Sequence, residues 1–137
     1  MIDCCLHSEI KIGGVWHHYS VSSLQADLDL FGKMGWDGDK DSICTPISIP
    51  KGMPEDISLI TKIDYDLWKN DAFCQSWLGA SEIIQIDSWY DSIKGRSHPS
   101  LDKQLGYLFG HSFQSFLAFR SDYPTQIEDI RWIFWFG

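Results

Sequence analysis

The chain has no run of about 18 consecutive apolar residues, so it offers no transmembrane helix. Its first residues, MIDCCLHSEIKIGG, lack both a basic start and an apolar core, so no signal peptide is expected and the cytoplasm is the expected compartment. It has no basic stripe either. The 11 Lys and Arg stand singly among 19 Asp and Glu, for a formal net charge of −8. Such a surface repels double-stranded nucleic acid and gains nothing from an anionic membrane. No C-x-x-C pair is present, and Cys4, Cys5, Cys44 and Cys74 read as free thiols in a reducing compartment. G-x-G-x-x-G, the P-loop and G-x-S-x-G are all missing, which removes the usual signatures of dinucleotide binding, nucleotide hydrolysis and serine hydrolysis. Neither a metal nor a cofactor is expected.

What the sequence does hold is apolar mass. Of the 137 residues 44% are hydrophobic and seven are Trp. That suits a single domain, which at this size buries enough surface to fold without staples. Ile10-Lys11-Ile12, Gly13-Gly14 and Val15 to Tyr19 read as a β-hairpin, because Gly-Gly suits a turn needing positive φ. Ser22 or Ser23 is expected to cap a helix carrying Leu24, Leu28 and Phe31 on one face, ended by Gly32 and Gly35. Three prolines between Pro46 and Pro54 rule out regular structure there. A helical stretch is expected from Pro54 toward Trp68, a connector over Asn70–Ser76, a helix from Ser81 and a longer one from Ser100. The tail, Ile130 to Phe136, is bulky at almost every position and is expected to be an internal strand buried on both faces. The expected fold is α+β: an antiparallel sheet, with the N-terminal hairpin and a central C-terminal strand, packed with three to four helices.

Few residues suggest chemistry. Asp37-Gly38-Asp39-Lys40-Asp41 opens like a calcium loop, but Ser42 and Ser48 stand where such a loop needs Gly and Glu, so a solvated turn is expected. His17 and His18 point to opposite faces of a strand, so they cannot share a metal. Cys5 and His7 share a face by the two-residue period. They could form a nucleophile and base, but no third orienting group is evident and packing is the better reading. His98 precedes a proline and falls in a loop, and His111 falls on a helix in a structural role.

Several segments together resemble a family of small proteins of bacteriophages and prophages. They are Cys4-Cys5-Leu6-His7, Gly14-Val15-Trp16, Leu28-Asp29-Leu30-Phe31, Pro50-Lys51-Gly52-Met53-Pro54, Gln75-Ser76-Trp77-Leu78 and Phe134-Trp135-Phe136. The family pattern has Asp where this chain has Cys5, and histidines where it has Phe73 and Gln75. The resemblance implies a pocket suited to binding more than to turnover. The leading expectation is a non-enzymatic anti-defence protein that sequesters a nucleotide immune signal, such as a cyclic ADP-ribose isomer or a cyclic dinucleotide. Its expected ligand-binding residues are His7, Trp36, Lys51, Ser76 and Trp77. They offer stacking faces, a hydroxyl, a titratable donor and one cation. The alternatives are an inhibitor that binds a host defence protein through an aromatic surface, and a degenerate metal-dependent phosphodiesterase. A homo-oligomer is compatible with each.

Overall fold

The computed structural model describes residues 2–24, 28–36, 45–93 and 127–137. The solvated turn expected at Asp37 to Asp41, Cys44, His98, His111 and the long helix expected from Ser100 lie outside the described residues.

The hairpin forms as Gly13-Gly14 dictates. Strand β1 (Cys4–Ile12) turns into β2 (Val15–Leu24), with φ of 59° at Gly13 and 77° at Gly14. Those two positive values define a turn whose twist matches the strands it joins. The second arm runs longer than expected. Ser22, Ser23 and Leu24 continue the ladder against Leu6, Cys5 and Cys4, so they do not open a helix. Leu24 is buried by the strand's alternation instead of by a helical stripe. Helix α1 (Leu28–Met34) starts later and includes Gly32.

The hairpin ladder has one irregularity. Ser8 faces Ser20, but Glu9 faces His18, so Tyr19 is an extra residue in β2. A bulge of this kind reverses which side chains face which surface beyond it. Here it turns Trp16 and His18 toward the sheet face that carries His7 and Glu9.

The C-terminal strand β4 (Asp129–Phe136) is internal, as its nearly unbroken apolar run leads one to expect. It pairs antiparallel with β1 on one side and with β3 (Phe73–Gly79) on the other, giving the order β2-β1-β4-β3. Strand β3 occupies part of the segment expected to be a connector. Its ladder is interrupted between Phe73 and Ser76, and Cys74 has a φ of 50°, so the polar start of this strand carries no clean alternation.

Alternation divides the sheet into two faces. Leu6, Leu78, Ile130, Trp132, Phe134 and Phe136 form the main core with α1 and with α3 (Ala80–Ile93). Leu30, Phe31 and Met34 come from α1, Ile83 and Ile86 from α3. The other face is crossed by α2 (Leu59–Trp68), which starts at Leu59 after a turn at Glu55-Asp56. No described helix is long and apolar enough to cross a membrane.

Candidate functional site

The α2 face of the sheet is unusually polar for a buried surface. Along β1 it presents Cys5, His7 and Glu9, and along β4 Arg131, Ile133 and Trp135. Helix α2 meets this face with Thr61, Asp64, Tyr65 and Trp68, one helical stripe at i, i+3, i+4 and i+7. Two polar clusters hold it there, and a third lies at the β3 edge.

In the first cluster, one carboxylate oxygen of Asp64 gathers two donors. His7 Nε2 lies 2.6 Å from Asp64 Oδ2, and the Cys5 thiol donates to the same oxygen over 3.2 Å. Cys5 Sγ is 3.7 Å from His7 Nε2. The other ring nitrogen, His7 Nδ1, is 2.9 Å from His18 Nε2, and the ring of His7 stacks on Trp135 with centroids 5.4 Å apart. Tyr65 of α2 packs edge-on against the same Trp135. The imidazole of His7 is thus fixed at both nitrogens and on one flat side. Burial, and then the neighbouring His7, push His18 below its ordinary pKa.

The structure therefore supplies the third group that the sequence did not reveal beside Cys5 and His7. It does not make a nucleophile of the cysteine. Burial, and then the hydrogen bond to Asp64, push the Cys5 thiol up to about 12. A reactive cysteine needs a lowered pKa and a positive neighbour, and this one keeps its proton and donates a hydrogen bond to a carboxylate. A consequence can be measured. Under native conditions Cys4, whose thiol burial raises well above its ordinary value, and Cys5 should both resist alkylation at mildly alkaline pH. After unfolding without reductant, all four thiols of the chain should react, as read by intact mass; a missing increment would reveal a disulfide. Cys4 and Cys5 form no disulfide in the structure.

The second cluster is a buried ion pair. The Arg131 guanidinium donates to Glu9 Oε1 through Nε at 3.0 Å and Nη2 at 2.8 Å, with both side chains buried. The other oxygen of Glu9 accepts the Thr61 hydroxyl at 2.7 Å and the Ser58 backbone N–H at 2.9 Å. Glu9 therefore sits at the N-terminus of α2, where a negative charge is favoured by the helix dipole. Burial pushes the Glu9 pKa up, but hydrogen bonds from Ser58, Thr61 and Arg131 outweigh it and leave it below the usual range. Arg131 also binds the Asp56 carboxylate and backbone oxygen, and its guanidinium lies 4.1 Å from the centre of the Trp16 ring.

The third cluster holds three of the five expected site residues. The Lys51 N–H donates to Ser76 Oγ at 3.0 Å, and its ammonium lies 3.8 Å from the centre of the Trp77 ring. That ammonium is also ion-paired with Glu82. Gly52, with a φ of 80°, lets the loop turn and donate its N–H to Gln75 O along the outer edge of β3. His7 is in the same cross-strand row as Trp77, but Ile133 stands between them. Trp36 is apart from these groups, buried in the core cluster with Phe31 and Met34. The structure thus joins Lys51, Ser76 and Trp77, places His7 under α2, and uses Trp36 as core. Asp64, Glu9 and Arg131 escaped the sequence reading because their partners are distant along the chain.

No protein-family model, curated protein or solved structure matches this chain.

Proposed function

We propose that this is a non-enzymatic binding protein that docks onto another protein through α2. One observation carries the reading. The helix turns Thr61, Asp64, Tyr65 and Trp68 toward the sheet and leaves its aliphatic residues outward. Leu59, Ile60, Ile63 and Leu67 are 71%, 56%, 54% and 81% exposed, and they form one stripe at helical spacing. Scattered exposed apolar residues are ordinary, but a contiguous stripe marks an interaction surface. An amphipathic helix laid into a groove is a common recognition mode. The exposed carboxylates of Glu55, Asp66 and Asp71, beside the Asp56 that holds Arg131, outnumber the exposed Lys62 and Lys69. The partner is accordingly a protein with an apolar groove rimmed by Lys and Arg. The resemblance to phage proteins supports a host defence protein in the bacterial cytoplasm as that partner.

The test uses the full chain as bait in host lysate, beside Ile63→Asp/Leu67→Asp and a control at another exposed apolar site, Ile84→Asp. The expected result is one basic-rimmed partner held by the parent and the control, lost from the α2 variant and released by high salt. The α2 variant should melt within a few degrees of the parent, since exposed substitutions change stability by about 0.5 kcal/mol or less. A large fall in Tm would mean that the stripe packs within the chain. A parent dimer dissociated by the variant would mean that the occupant is a second copy. Either result overturns the reading.

The Lys51–Trp77 contact favours a second reading, a small nucleotide-type ligand stacked on Trp77 with its phosphate at Lys51. Its phosphate would have to displace Glu82 from the ammonium. A cyclic dinucleotide or cyclic ADP-ribose isomer at about 100 times its Kd should then add about 2.7 kcal/mol of stability, and Lys51→Glu should abolish the gain. No thermal shift with any of these ligands would remove this reading.

A further inference from the structure

We propose that Cys5, His7 and Asp64 form a binding site for a thiophilic divalent transition metal, with zinc the best match. Their donor atoms, one sulfur, one nitrogen and one oxygen, all lie within 4.8 Å of one another. They converge because β1 presents Cys5 and His7 two residues apart on one face and α2 places Asp64 above both. Zinc bonds of about 2.0–2.3 Å in a tetrahedron set the three donors roughly 3.4–3.6 Å apart. The Cys5–His7 separation of 3.7 Å and the Cys5–Asp64 separation of 3.2 Å are already near that spacing. Only the His7–Asp64 separation of 2.6 Å must widen, and Asp64 is the partner able to move, being 31% exposed on its helix.

The donor set selects the ion. A thiolate and an imidazole suit zinc, whereas magnesium and calcium require oxygen ligands. The surroundings supply what a ligating histidine needs at its other nitrogen. With the ion on Nε2, His7 carries its proton on Nδ1 and donates it to His18 Nε2, which lies 2.9 Å away. The thiol proton of Cys5 leaves to solvent as the Cys5–metal bond forms. Three protein ligands leave a fourth position on the partly exposed side of Asp64, for water or a ligand from solution. The site is independent of the apolar stripe, although it fastens the helix that carries the stripe.

The experiment uses the full chain, stripped with chelator and dialysed against zinc, with cobalt(II) as the spectroscopic probe. The expected result is one zinc per chain and a thiolate-to-cobalt charge-transfer band. Cys5→Ser should remove the band, while Cys74→Ser should leave it unchanged. Should Cys5→Ser fail to fold, Asp64→Asn carries the test, because its side chain is partly outside the core. Zinc affinity should fall at least about tenfold in Asp64→Asn and about 10–100-fold in His18→Gln, with the cobalt band kept in the latter. Absence of stoichiometric zinc binding by the parent chain overturns the site. So does unchanged affinity in folded Asp64→Asn, or an unchanged band in folded Cys5→Ser.

Discussion

Replacing Phe134 with Ala should cost about 3–5 kcal/mol, the usual loss for a fully buried aromatic. Phe134 is at the centre of β4, paired with Leu6 on one side and Ser76 on the other. Its ring meets Phe136 edge-on at 5.8 Å and is wholly enclosed by the main core. Neighbouring strands hold the backbone of β4 from both sides, so the cavity cannot close by collapse. The expected melting temperature falls by on the order of 10 °C or more. A variant that melts with the parent would show that the core is not built on this strand.

Arg131→Met should be comparably damaging, by about 3–5 kcal/mol, because it leaves the Glu9 carboxylate buried without its counter-charge. The pair itself contributes much less than that, since two buried charges also lose their hydration. The double variant Glu9→Leu/Arg131→Met should therefore recover part of the loss. Recovery should stay incomplete, because the Ser58 N–H and the Thr61 hydroxyl lose their shared acceptor at the start of α2. Thermal melts of the two single variants and the double variant give the coupling directly. Acid offers an independent reading of the same carboxylate. Its pKa is depressed in the folded chain, so its contribution is fully present above the unfolded glutamate value of about 4.3. That contribution fades as pH falls through the lower folded value. In Glu9→Leu this part of the acid sensitivity should vanish. Double-variant losses that simply add would dismiss the ion pair as the coupling element.

The contrast between β4 and β3 explains how much of the fold was legible. Ile130 to Phe136 announces burial on both faces at almost every residue, and Gly13-Gly14 announces the hairpin turn. Strand β3 announces neither, because Gln75 and Ser76 are polar and the ladder skips at Cys74. The start of α2 was obscured by Glu55 and Asp56, which look like a helix's first turn but form the turn before it, where Asp56 holds Arg131. Ser22 and Ser23 resemble caps, yet a ladder with β1 claims them. Local pattern cannot arbitrate such cases, because tertiary pairing decides them.

The site was legible in halves. Strand period alone puts Cys5 and His7 on one face, and the contact of Lys51 with Trp77 and Ser76 joins segments already singled out by the sequence. Asp64 is 57 residues from His7, and Arg131 is 122 from Glu9, so no local spacing could pair them. Nor could periodicity orient α2. An apolar stripe at helical spacing ordinarily points to a core, and here polar anchors on the sheet turn it outward.

Which histidine touches His7 is decided by counting. In a straight ladder Tyr19 would stand opposite Glu9, and His18 would fall on the main-core side with Ile10. The one-residue surplus in β2 shifts the parity of everything between Val15 and His18. A chain lacking Tyr19 would pair without the skip and still deliver His18 to His7. One more residue inserted beside Tyr19 would not preserve that match unless the ladder skipped again. The second nitrogen of His7 is therefore addressed by the length of a hairpin arm, an even-or-odd property that no substitution at His17 or His18 can reproduce.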